Sequence, residues 1–315
     1  MSYIPVRYTI ADKAIKGSSQ APLAMSCISF AANIIFQDIV LIVVTNQPSR
    51  MGGLHMSKRK PPRILTVVRT EFLTPHMLRV TLGGVGLHGF PESQEGAHVK
   101  MLIPEGDLDP AAFVAQIEDG HRPVMRTYTI RHHRVDTNEL DIDFAIHGDG
   151  GPASNWAKQA LPGDYIGLFG PGPKKMTYLD ADWFLLAADM TAIPAAAAAL
   201  EELPKDAVGT AVFEVTSEED RQPIEAPCGI DIHWLVHENP EKPSTQQSDF
   251  IRGMRWRPGH PSVFVAGESG LVKELRNHLH KERGIPKEDT YVSAYWKIGL
   301  QEDAHQIQKR MAAAA

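Results

Sequence analysis

Cysteine is scarce in this chain: Cys27 and Cys228 are the two among 315 residues. Two thiols cannot hold an iron–sulfur cluster, which usually takes four protein ligands. Nor do they make a disulfide framework, so a reducing, cytoplasmic compartment is the expectation. No C-x-x-C pair is present, and the adjacent His132 and His133 point to opposite faces of any strand; no metal site is expected. A charge excess is also lacking. The net charge is -6 and the pI about 6.2, which gives no reason to expect a nucleic-acid partner.

A clean membrane span is missing too. Residues 26–45, SCISFAANIIFQDIVLIVVT, are the most apolar run. A spanning helix needs roughly 20 mostly apolar residues, but this run carries Asn33, Gln37 and Asp38 near its middle, which a bilayer penalises. Lys13 and Lys16 precede it without the cleavage site of a signal peptide. Residues 1–58 are expected to lie outside the fold as an extension, with Met51 or Met56 as alternative starts; a membrane anchor is the lesser reading.

What is present fits about two globular domains, with 43% hydrophobic and 22% charged residues. From Arg63 short β-like runs follow one another: RILTVVRT, HMLRVTLGG, AHVKMLIP, MRTYTIR, LDIDFAIH and YIGLFGP. Leu140, Ile142, Phe144 and Ile146 alternate with Asp141 and Asp143, as in a half-buried antiparallel strand. Residues 105–121 read as a loop with one turn of helix. Six such strands predict a closed barrel over 59–176. WFLLAA then opens an alternation of apolar strands (TAVFEV, DIHWLV, SVFVAG, TYVSAYW) with helix-forming runs at 192–203 and 270–284. The second of these has Leu271, Leu275 and Leu279 every four residues. This predicts a doubly wound parallel sheet over 177–300, followed by a helix with an alanine tail at 301–315. The fold class is thus an antiparallel β-barrel followed by an α/β nucleotide-binding domain.

Two constellations flank the LDIDFAIH strand. In R-T-Y-T-I-R (126–131), Arg126, Tyr128 and Ile130 share one face, and Thr129 and Arg131 the other. A cation, an aromatic wall and a hydroxyl donor are what a flavin needs; an ordinary strand with a surface arginine is the plainer reading. In H-G-D-G-G-P-A-S-N-W-A (147–157), glycines allow close backbone approach and a helix start offers free amides to an anion. There Ser154 either adds a hydroxyl or simply caps the helix. A third segment, D-M-T-A-I-P-A (189–195), follows WFLLAA, where such sheets bind ligands. It is not G-x-G-x-x-G, and composition alone makes it a turn capped by Thr191. Tyr295-Trp296-Lys297 ends the last strand.

These segments, with YWKIG (295–299), resemble in order and spacing the siderophore-interacting proteins, ferric-siderophore reductases of the ferredoxin–NADP reductase-like superfamily. The resemblance runs from about Arg63 to Ala304. It implies FAD as cofactor, reduced NADPH or NADH as electron donor and a ferric siderophore as substrate. It places Arg126 on phosphate, Tyr128 against the ring or ribityl chain, and Thr129 near the flavin nitrogen that accepts hydride. Thr127 and Arg131 are further candidates on that strand. His147, Gly148, Gly151, Pro152, Ala153, Ser154 and Trp156 are candidates around the pyrophosphate. Asp189, Thr191, Ala192 and Trp296 are candidates for nucleotide or flavin contact. Lys100, in a segment like the family's H-x-K-[LM] strand, and Lys297 are the candidate catalytic cations at the acceptor site. Lys273 and Arg276 fall on the outer face of the 270–284 helix and are discounted. Ser217 and Arg221 favour a 2′-phosphate, whereas Glu214, Glu218 and Glu219 favour NADH, and the choice stays open. A reductase feeding a ferredoxin or free flavin, and a siderophore-binding protein without turnover, remain the rival readings.

Overall fold

A computed structural model of the chain describes residues 61–146, 151–175 and 178–300. The apolar run 26–45 therefore lies outside the described residues, as do the 301–315 tail and His147 and Gly148. Among the described residues no helix is long and apolar enough to cross a membrane.

Six antiparallel strands close into a barrel: β1 (Arg63–Thr74), β2 (Met77–Gly83), β3 (His98–Leu102), β4 (Met125–Arg134), β5 (Glu139–Ala145) and β6 (Tyr165–Phe169). The order is β1-β2-β5-β4-β3-β6, and β6 returns to β1 with Arg63 opposite Leu168. Every strand alternates, so one side-chain set turns inward. Leu65, Val80, Leu82, Val99, Met101, Ile130, Ile142, Phe144, Ile166 and Leu168 fill the interior. Helix α2 (Pro152–Gln159) closes on this core with Ala153 and Ala157.

Two details depart from the sequence reading. Residues 110–118 form a nine-residue helix, α1, rather than one turn. Asp109 caps it by accepting from the Ala112 amide at 2.8 Å, and Pro110 begins it; its Phe113 is buried edge-on to Tyr165. Strand β5 is buried on both faces rather than half-buried, because arginines from neighbouring strands cover its aspartates. Arg79 grips Asp143 at 2.7 and 2.8 Å, Arg134 grips Asp141 at 2.6 and 2.7 Å, and Thr81 donates to Asp141 at 2.8 Å.

The second half is a five-stranded parallel sheet in the order β11-β10-β7-β8-β9. Its strands are β7 (Trp183–Asp189), β8 (Val208–Val215), β9 (Gly229–Val236), β10 (Pro261–Glu268) and β11 (Thr290–Trp296). Helix α3 (Ile193–Glu201) packs its alanines on Phe184, Leu186 and Ala188. Helices α4 (Gln246–Gly253) and α5 (Ser269–Asn277) cover the opposite face, with Ile251, Leu271 and Leu275 against Leu185, Ala187 and Val265. No α-helix intervenes between β8 and β9, so the strand–helix alternation fails there. The order reverses direction between β7 and β10, which is where open α/β sheets place ligands, at the carboxyl ends of the strands.

Candidate functional site

Two groups of side chains stand out, one on the barrel and one at the carboxyl edge of the sheet. On the barrel, Tyr128 of β4 packs on Phe144 of β5 with ring centroids 4.3 Å apart, and Phe144 packs on Trp156 of α2 at 6.1 Å. This aromatic line joins the R-T-Y-T strand to the G-P-A-S-N-W helix. Arg126 is buried, with Nη1 donating to the Met125 carbonyl at 2.9 Å. Thr127 lies opposite Lys100 in the β3–β4 ladder, and the Lys100 ammonium donates to its hydroxyl.

Gly151, not Ser154, sits at the α2 cap. No side chain caps the helix among the described residues, and a Cβ added at Gly151 would meet nothing within 4 Å. Ser154 is buried and donates back to the Gly151 carbonyl at 3.1 Å. The first turn of α2 begins at this uncapped end, where Pro152 has no amide to offer. A dinucleotide cofactor needs a cation, a helix amino end with no side-chain cap and an aromatic wall, and Arg126, α2 and Tyr128 suit an FAD on that count.

Arg131 stands apart from this group. Its guanidinium is buried and paired through both arms with Glu201 of α3, one arm at 3.0 Å. It joins barrel to sheet. On β3, opposite Thr129, His98 meets the Lys175 ammonium at 2.8 Å. Burial, then Lys175 and Lys100, push its pKa down. Its ring fills the place where a Gly172 side chain would go, 2.0 Å from the Cβ position.

At the sheet edge Asp189 is the organising residue. Its carboxylate accepts from the Thr191 amide (3.0 Å), the Thr191 hydroxyl (2.6 Å), the Glu268 amide (2.8 Å) and the Trp296 indole (2.7 Å). Gly267 is needed for this, since a Cβ there would stand 2.4 Å from the carboxylate. Burial pushes the Asp189 pKa up, against the pull of those donors. Thr191 thus does not cap α3, whose cap position is Ala192, with no side-chain bond. Trp296 is a half-buried hydrogen-bond donor, and Lys297 is half-buried in the turn that follows.

Asp189, Met190 and Thr191 line a cleft, together with Glu214, Thr216, Ser244, Glu268 and Trp296 from the sheet domain and Ala145 and Ile146 from the barrel. Sequence reasoning missed several groups in and behind this cleft. Ser244 donates to Glu214 at 2.6 Å. The buried Gln247 amide bridges the carbonyls of Ala188 and Val212, at 2.9 and 3.0 Å. Glu268 caps α5, accepting from the Gly270 and Leu271 amides. Its place at a strand's carboxyl end was the one signal that pointed to it. Ser217 bonds Asp220, and Arg221 pairs with Glu218.

Comparison with known proteins fits this geometry. A family model described as siderophore-interacting FAD-binding domain matches residues 66–175, and one described as siderophore-interacting protein matches residues 181–299. The chain is 37% identical over 265 residues to the ferric vibriobactin reductase of Vibrio cholerae, covering 81% of this chain and 96% of that one. It is 32% identical over 243 residues to the NADPH-dependent ferric-chelate reductase of Escherichia coli, covering 74% and 92%. The crystal structure of a siderophore-interacting protein from Aeromonas hydrophila superposes with a TM-score of 0.70 at 32% identity, covering 81% and 99%.

Proposed function

Because the chain belongs to the siderophore-interacting protein family, we propose that it reduces ferric iron held in a siderophore, using a reduced nicotinamide coenzyme as donor and FAD as carrier. The observation that carries this reading is the pairing of an FAD-suited surface on the barrel with a cleft at the switch point of the parallel sheet. When bound, FAD converts the donor's electron pair into the single electrons that Fe(III) accepts. Arg126 and the amino end of α2 would hold its pyrophosphate, Tyr128 would back its ring or ribityl chain, and Thr129 would lie near the ring. The cleft residues receive the coenzyme. Lys100 and Lys297 draw an anionic ferric chelate. Hard oxygen ligands hold Fe(II) far less tightly than Fe(III), so reduction frees the metal with no protein acid or base. The scarcity of cysteine supports a cytoplasmic setting. That the sequence relatives bear ferric reductase names supports turnover over simple siderophore binding.

The test is anaerobic. The purified yellow protein is mixed with NADH or NADPH and the flavin absorbance is followed, and then a ferric siderophore is added. Bleaching by the coenzyme and recovery on adding the chelate, with Fe(II) trapped by a ferrous chelator, is the expected result. Absence of flavin, or bleaching without recovery, rejects the reading.

A further inference from the structure

Asp220 belongs to no motif of the proposed reductase, yet its carboxylate accepts five hydrogen bonds. It is wholly buried, at 0% exposure. Its Oδ1 accepts from the Thr74 hydroxyl at 2.9 Å and the His76 amide at 3.0 Å. Its Oδ2 accepts from His76 Nδ1 at 2.8 Å and from the Ser217 amide and hydroxyl at 3.0 and 2.9 Å. Three of these five donors come from the β1–β2 turn of the barrel, and two from its own loop after β8. Burial alone would raise its pKa, but the donors outweigh burial and hold it low. An ionised carboxylate only accepts, so His76 must carry its proton on Nδ1.

Both ends of this joint run directly into the cleft. The His76 carbonyl accepts from the Ile146 amide at 2.9 Å, and Ala145 and Ile146 form the barrel wall of the cleft. On the other side, the loop that carries Asp220 begins at Val215 and Thr216, which with Glu214 form the sheet wall. The Val215 carbonyl also accepts from the His237 amide at 2.8 Å, and His237 lines the cleft as well. One buried carboxylate therefore connects the two walls.

We infer that Asp220 is a positioning residue that fixes the sheet wall of the cleft against the barrel wall, so that a coenzyme bound by the sheet meets a flavin bound by the barrel. This rests on the reductase reading above. Hydride transfer requires reacting atoms roughly 3–3.5 Å apart and aligned. The hydride carries both electrons from the nicotinamide, which leaves oxidised as NAD(P)⁺. Ferric reduction by single electrons tolerates a looser approach. Loosening the joint is therefore expected to slow the first half of the cycle and spare the second.

The experiment uses the full flavin-loaded chain as wild type, Asp220→Asn and His76→Ala. In Asp220→Asn, amide hydrogen exchange at residues 74–78 and 215–220 is expected to rise at least tenfold, with the flavin-to-protein ratio unchanged. Flavin reduction at saturating NADH or NADPH should slow at least tenfold. Reoxidation of dithionite-reduced protein by a ferric tris-catecholate should stay within twofold. His76→Ala should move the same way by a smaller factor, and it decides the matter if Asp220→Asn does not fold. Reduction within twofold of wild type in the folded variants, or equal slowing of both halves, overturns the inference. A wild type that neither coenzyme reduces sinks the reductase reading itself, which is a separate and distinguishable result.

Discussion

The Trp296 indole donates to the Asp189 carboxylate at 2.7 Å, tying the end of β11 to the end of β7 across β10. Replacing Asp189 by alanine strands three half-buried donors: the indole and the amides of Thr191 and Glu268. Each unmet donor costs about 1–3 kcal/mol. Asp189→Ala is expected to lose about 2–4 kcal/mol overall, and Trp296→Phe about 1 kcal/mol, by urea denaturation. Equal stability of Asp189→Ala and wild type would show that water replaces the carboxylate.

Arg126→Ala should weaken flavin retention. A charge-assisted bond to phosphate contributes roughly 1.5–3 kcal/mol, or about tenfold or more in affinity. The flavin-to-protein ratio after gel filtration measures it, and undiminished occupancy removes Arg126 from the cofactor site.

Lys100 and Lys297 come from β3 and from the turn after β11. Because the chain is acidic overall, at -6, an anionic chelate needs a local cationic patch. The double alanine variant should be reduced by the coenzyme at nearly the wild-type rate but reoxidised more slowly by an anionic ferric chelate. Salt should slow the wild type similarly, since the screening length falls to about 3 Å at 1 M. Equal reoxidation rates at low salt would clear both lysines of that role.

Acid should weaken the barrel first along β5. Hydrogen bonds from Arg69 and then Arg134 hold Glu139 down to about 2. Burial works against Asp141, but Arg134, His132 and Thr81 prevail and hold it below the usual carboxylate range. Both folded-state values are depressed, so this stabilisation is complete above the unfolded value of roughly 4. It fades as pH falls toward the folded values. Urea midpoints should therefore drop between about pH 5 and 2. Arg134→Gln should be weaker at pH 7 and show a shallower acid decline. A parallel decline in both proteins would place the acid sensitivity elsewhere.

The barrel and the sheet were legible because their signals are periodic. Leu140, Ile142 and Phe144 alternate in sequence and all face the core, and WFLLAA is buried along its whole length. What lay across from them was not legible. Asp141 and Asp143 are covered by arginines from other strands, which no local pattern announces. Asp220 sits in the run S-E-E-D, which reads as a solvated loop; Thr74 and His76 reach it from 146 and 144 residues away. The order of the motifs marked where the candidate residues fall in the chain, but not their bonds. Thr191, a natural cap by composition, turns instead to Asp189 because that carboxylate is two residues off and buried. In α1 the signal existed, as Asp109 followed by Pro110, and the surrounding acidic, glycine-punctuated residues obscured it.

Closure of the barrel by β1 and β6 has a bearing on how this protein fails. A ring of strands offers no unpaired backbone to a second molecule, so aggregation by strand addition must begin elsewhere. Among the described strands that leaves the outer margins of β9 and β11, and the end of β1 that runs past its ladder with β6. On β9 the solvent-facing Asp231 is met by Arg257 from the loop after α4, and such charges discourage a visiting strand. Strand β11, T-Y-V-S-A-Y-W, carries no charge of its own, and the guard there comes from α5, whose Arg276 guanidinium donates to the Val292 carbonyl at 2.9 Å.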